Sequence, residues 1–171
     1  MKLSIQKVPA TFFSAALAAL ATPSLFAADA HFDVSRIIDK AAAESVLGET
    51  VKTPAPRNME GQDGYYSKCT YYTGTPGKSL VLRVYQAAAG FNPYKELEQV
   101  IESSGSMRAI SGLGDKARMS SGAEGGLPAH VVMLYVIKGN ALVTVGLGGL
   151  EDEAVAQEKV KEVAQKIVAE L

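Results

Sequence analysis

Three glycine-rich or nucleophile-bearing stretches of this 171-residue chain carry residue types that could do chemistry. The first, Gly74-Thr75-Pro76-Gly77-Lys78-Ser79, ends in the Gly-Lys-Ser that closes a phosphate-cradling loop. Such a loop needs a glycine five residues before Gly77, and that position is Tyr72. It also joins a strand to a helix, whereas both flanks here read as strands. A plain hairpin turn with Lys78 in solvent is expected instead. The second, Gly146, Gly148 and Gly149 between a strand and a helix, resembles a dinucleotide fingerprint, but the third glycine would fall at Glu151. Glu151, Asp152 and Glu153 would repel a pyrophosphate from that helix start, so the glycines read as a tight strand-to-helix turn. Gly112-Leu113-Gly114-Asp115 reads likewise as a tight strand connection.

The third is Cys69, the single cysteine. One thiol forms no intramolecular disulfide and no cysteine-based metal site. A catalytic thiol wants a positive, partly exposed setting and a histidine; Lys68 points to the other face of its strand, and only His31 and His130 are on offer. A buried inert thiol is expected, with an intermolecular disulfide as the alternative. No His, Asp or Glu cluster has ligand spacing, and no Ser-His-Asp set can be placed. No catalytic, cofactor or metal residue is therefore nominated, and an enzyme is not expected.

The remaining concentration is aromatic: Tyr65, Tyr66, Tyr71 and Tyr72 crowd one strand-like run. Alternation puts Tyr65 and Tyr71 on one face with Cys69, and Tyr66 and Tyr72 on the other with Lys68 and Thr70. They read either as aromatic pairs stabilising a phenylalanine-poor sheet or as an amphipathic surface for a sugar, a peptide or a partner protein.

The elements that must position these residues follow from periodicity and punctuation. Asp39 caps a short helix ended by Gly48. Residues 49–64 give one weak strand and a long loop, and strand runs follow at 65–72 and 80–86. Asn92 and Pro93 start a second helix with the stripe Tyr94, Leu97, Val100 and Ile101. Short extended pieces near 107–110 and 116–120 precede the strongest signal, a hairpin over 130–147 turning at Gly139-Asn140. Pairing outward from that turn sets Val136 against Val143, Leu134 against Val145, and Val132 against Leu147. Its opposite face, with Met133, Tyr135, Ile137, Leu142 and Thr144, is also mostly apolar, so the hairpin should be central and covered on both sides. A final helix over 152–169 carries Ala156, Val160, Val163, Ala164, Ile167 and Leu171 in one stripe. Helix, extended pieces and hairpin occur in that order over 39–86 and again over 93–147, a weak internal echo.

The N-terminus reads differently. Lys2 and Lys7 precede an apolar run from Val8 to Ala21 and then small residues, the order of a secretory signal peptide over 1–27, cleaved after Ala27 or Ala30. The run is shorter than the roughly 20 residues a membrane-spanning helix needs, so no integral span is expected after cleavage. Residues 28–38 read as an N-terminal extension and 39–171 as one globular domain. The whole chain has 17 basic against 18 acidic side chains, which excludes a basic footprint for nucleic acid. With 47% hydrophobic and 20% charged residues, wholesale disorder is excluded too.

The helix end Val46-Leu47-Gly48, the strand Cys69-Thr70-Tyr71, the connection Gly112-Leu113-Gly114-Asp115-Lys116-Ala117 and the Lys138-Gly139-Asn140 turn before a final amphipathic helix resemble a set of small exported bacterial domains of unknown function. Many members are envelope lipoproteins; this chain departs from them by lacking a lipid-accepting cysteine at the signal cleavage site. The resemblance spans roughly residues 36–171 and implies an α+β domain of the cell envelope with no catalytic residues to carry over.

The expected architecture is α+β: an antiparallel sheet with helices mainly on one face, those at 93–104 and 152–170 packed on the same side. The expected function is a periplasmic or secreted, non-enzymatic binding or interaction module without a cofactor. Its partner would be a small ligand or an envelope protein, with Tyr65, Tyr66, Tyr71 and Tyr72 as the candidate surface. The alternative is a structural or assembly protein acting through homo- or hetero-oligomer contacts, a homodimer among them.

Overall fold

A computed structural model of the chain describes residues 31–122 and 126–171. The signal peptide expected over 1–27, its cleavage points and residues 123–125 of the glycine-rich loop lie outside them. In chain order the elements are α1 (Val34–Ile37), α2 (Lys40–Leu47), β1 (Arg57–Glu60), β2 (Gly64–Tyr72), β3 (Ser79–Ala87), α3 (Pro93–Ser103), β4 (Arg108–Ile110), β5 (Lys116–Ser121), β6 (Val131–Lys138), β7 (Ala141–Gly148) and α4 (Glu153–Val168). The strands form one antiparallel sheet in the order β1-β2-β3-β7-β6-β5-β4. The fold is α+β, as the residue pattern requires.

The β6–β7 hairpin pairs Val136 with Val143, Leu134 with Val145 and Val132 with Leu147. Those side chains are no more than 1% exposed. A slip of one residue would turn all of them to the other face, so burial holds the register. Every residue of β7 is buried, which suits the middle of a seven-stranded sheet.

One face of the sheet carries the main core. Cys69, Leu80, Leu82, Val84 and the inward hairpin residues pack against α1, α2 and α4 through Val34, Ile38, Ala43, Leu47, Ala156, Val160, Val163 and Ile167. The caps of α2 are those foreseen: Asp39 accepts from the Ala42 N–H at 2.8 Å and Gly48 takes a left-handed φ of 68°. Asp152, expected inside the last helix as a helix-start charge, is instead its N-cap and accepts from the Val155 N–H at 3.0 Å.

The structure departs from expectation in three places. Helix α3 lies on the opposite face from α4: its buried Leu97 packs with Tyr85, Ile137 and Leu142, flanked by Tyr66, Tyr94, Ile101 and Tyr135. The cause is the two-sided apolar character of the hairpin, whose second face must also lose its water. Of the supposed extension over 28–38, the described part enters the fold, because Val34 and Ile38 are 0% and 1% exposed and the Val34 N–H donates to the buried Ser67 Oγ at 2.9 Å. Leu171 does not complete the α4 stripe: α4 ends at Val168, and Leu171 is 36% exposed. As for the internal echo, the β3–β7 seam divides the sheet into β1-β2-β3 and β7-β6-β5-β4, three strands against four, and α2 and α3 sit on opposite faces.

Ile167→Ala should therefore cost about 2–5 kcal/mol, whereas deleting residues 169–171 should leave the urea midpoint nearly unchanged. Equal losses in the two variants would contradict this packing.

Candidate functional site

Alternation along β2 sends its side chains to two different environments. On the core side, Ser67, Cys69 and Tyr71 are buried. The Tyr71 hydroxyl donates to the Ile38 carbonyl, and Ser67 Oγ, besides accepting from Val34, donates to Asn58 Oδ1 at 2.8 Å. Tyr65 stacks on His31 with ring centroids 4.3 Å apart, and His31 Nε2 lies 2.8 Å from Glu60 Oε1. Tyr65 and Tyr71 thus fasten the N-terminal segment and present no common surface. Cys69 is fully buried and burial pushes its thiol up, so it is neither an activated nucleophile nor placed for a bridge between chains.

On the other side, Tyr66, Lys68, Thr70 and Tyr72 line a groove of about 560 Å³ with Arg57 and Met59 from β1, Arg83 from β3, and Thr53 and Ala55 from the segment before β1. That segment is pinned at its start by the Val51–Thr73 bridge and by the Lys52 N–H donating to the Tyr72 carbonyl at 2.8 Å. Met59 and Tyr72 are the most exposed large hydrophobic residues described, at 60% and 58%. Tyr66 is engaged: it stacks on Tyr85 at 4.8 Å, the Arg83 guanidinium lies 5.1 Å from its ring centre, and its hydroxyl donates to Asp63. Burial and that hydrogen bond push the Tyr66 phenol up to about 12.

The floor of the groove has an unusual electrostatic arrangement. Arg57 is directly opposite Lys68, and Lys68 is directly opposite Arg83. Like charges facing across neighbouring strands repel and destabilise a sheet. Only Arg83 is neutralised, by Glu96 of α3 at 2.7 Å; neither Arg57 nor Lys68 has an ion pair among the described residues. The same row crosses the sheet through Thr144 and Tyr135 to Arg118. Beyond it the face stays partly open, with Val81, Val131 and Met133 half-buried because α3 covers only the end holding Tyr85, Leu142 and Ile137.

The candidate tyrosines are therefore divided, with Tyr66 and Tyr72 brought into the groove and Tyr65 and Tyr71 taken elsewhere. Arg57, Met59 and Arg83 were not foreseen, although pairing outward from the 73–78 turn places Lys68 against Arg83 and offers a legible signal. The Gly-Lys-Ser turn is held by a carboxylate: Glu49 Oε2 lies 3.4 Å from Lys78 Nζ, leaving that side chain 19% exposed rather than free in solvent, and Glu49 Oε1 accepts from the Thr75 N–H at 3.2 Å. Gly149 has a φ of 79° and approaches so closely that a Cβ there would sit 2.6 Å from the Lys78 Cα. In the Gly112–Asp115 connection, Asp115 Oδ2 accepts from the Gly139 N–H at 2.7 Å, tying it to the hairpin turn. Among the described residues no group of three or more His, Cys, Asp or Glu side chains could hold a metal ion, and no helix is long and apolar enough to cross a membrane. Comparison with protein-family models, with curated proteins and with solved structures finds no match.

Two outcomes test this geometry. Lys68→Gln should stabilise the protein by about 0.5–1 kcal/mol at low salt, with the gain shrinking at high salt; a loss of stability, or a gain that salt does not touch, contradicts the repulsive row. The second concerns Tyr66, whose phenol ionises near 10 when unfolded and near 12 when folded. The unfolded chain gives up this proton first, so the stabilisation is complete below pH 10 and is lost as the pH rises to 12. Tyr66→Phe should therefore show a shallower fall in its urea midpoint over that interval than the parent protein, and an identical slope would refute the assignment.

Proposed function

We propose that the chain is an exported, periplasmic or secreted, non-enzymatic binding module that seats an anionic ligand in the groove between β1, β2 and the 53–55 segment. The observation that carries this reading is the directly opposed Arg57–Lys68–Arg83 row, in which Arg83 alone has an ion pair among the described residues, with Glu96. A repulsion maintained on an open face, next to an exposed Tyr72 and Met59, is relieved by an acidic group bound from outside. The groove is also within the roughly 300–1,000 Å³ of small-molecule sites at about 560 Å³. Export rests on the basic, apolar and small-residue order of residues 1–30. Assembly through a two-fold contact of the same face is disfavoured, because it would set the cation row against a copy of itself.

Tripolyphosphate, used as a general anionic probe at low salt, should raise the melting temperature of the parent protein. The shift should vanish in Arg57→Gln/Lys68→Gln and persist in Lys138→Gln/Lys166→Gln, which removes two exposed cations outside the groove. Equal loss in both double variants would mean attraction to net charge alone and would overturn the site.

A further inference from the structure

Resting on that reading, we propose that the ligand is an acidic oligosaccharide, a short chain of sugar rings carrying a carboxylate or phosphate, laid lengthwise along β2. The groove is graded from one end to the other. Toward the Met59 and Tyr66 end its floor is cationic through Arg57 and Lys68, with Arg83 beside them paired to Glu96; the middle offers the Thr70 hydroxyl; the far end offers Tyr72, with Thr53 and Ala55 along the side. Lys68, Thr70 and Tyr72 are alternate residues of one strand, so Lys68 and Tyr72 stand roughly 13 Å apart along β2 at about 3.3 Å per residue. A single ring or an inorganic anion does not span that separation, whereas several linked rings do.

Tyr72 supplies the platform. The Tyr66 ring is already stacked on Tyr85 and covered by Arg83, but Tyr72 is 58% exposed and offers a rigid aromatic surface with a hydroxyl edge, suited to the apolar face and polar rim of a sugar ring. An acidic ring seated between Arg57 and Lys68 meets the cations that have no ion pair. Ring hydroxyls in between find Thr70 and Thr53.

The other anionic occupants fit less well. An acyl chain gains about 0.8 kcal/mol per methylene only where it is buried, and this groove is open with a charged floor. An extended peptide is held mainly by backbone hydrogen bonds at a sheet edge, whereas the groove lies on a sheet face, where only side chains point outward. The neighbouring edge is blunted besides, since Pro54 and Pro56 in the segment before β1 have no N–H to give an added strand.

Titration calorimetry at low salt with trigalacturonate, phosphorylated maltotriose, neutral maltotriose, tetraglutamate and decanoate separates these ligands. At least one of the two acidic trisaccharides should bind about tenfold more tightly than maltotriose, tetraglutamate or decanoate, and the choice between them tells carboxylate from phosphate. Tyr72→Ala should weaken that binding about fivefold or more while Tyr72→Phe retains it, with circular dichroism and melting confirming that both variants fold. Binding indifferent to Tyr72→Ala overturns the proposal, as does tetraglutamate or decanoate binding as tightly as the sugars. If tripolyphosphate binds through Arg57 and Lys68 but neither acidic trisaccharide binds, the sugar inference falls and the anion site stands; if none of the anions binds, both fall.

Discussion

The central strand β7 is buried along its whole length on both faces, and the rest of the molecule is arranged to satisfy that demand. A strand dry on both sides needs a layer above and a layer below. Helices α1, α2 and α4 supply a complete layer on one side. On the other, α3 alone covers Tyr85, Ile137 and Leu142, and one short helix cannot cap seven strands. The open groove at the β1–β2 side is what remains after the middle of the sheet has been covered by the least helix that suffices.

The cation row sits along the border between the covered and uncovered parts of that second face. Glu96 shows how the border is defended: α3 brings one carboxylate to Arg83 and none to Lys68 or Arg57, which lie farther from the helix by one and two strands. The unrelieved repulsion is therefore centred on Lys68, which has a cation on either side of it. The core side of the same strand has no comparable conflict, since Ser67 and Tyr71 each find a partner in the N-terminal segment.

Much of the fold was legible in the residue order because the strongest signals are local. The Asp39 and Asn92 caps, the Gly139-Asn140 turn and the register of Val132 to Leu147 each depend on residues close together in sequence. What was not legible is non-local. No spacing within 93–103 tells which side of the sheet α3 will choose; that depends on the apolar second face of a hairpin whose Ile137 and Leu142 are distant from Leu97 in sequence. The burial of Val34 and Ile38 was hidden for the same reason, since their partners are the distant Ser67 and the main core. Alternation separated the tyrosines correctly by face, but the groove owes its charge to Arg57 and Arg83, which reach Lys68 only through pairing between strands.

The two-residue period of β2 has a further consequence for how such a protein can change over time. Because alternate positions feed the core and the groove, inserting or deleting one residue within β2 would reverse the faces of every residue on one side of the change, turning Lys68 inward or Tyr71 outward unless a bulge absorbs it. Lineages can therefore retune the groove floor by exchanging side chains but not by altering strand length. Length variation beside the groove is better accommodated in the segment from Thr53 to Pro56, which lies between the Lys52–Tyr72 hydrogen bond and the β1–β2 ladder. Diversity in what descendants of this fold recognise should thus accumulate as substitutions in β2 and as insertions in that single rim.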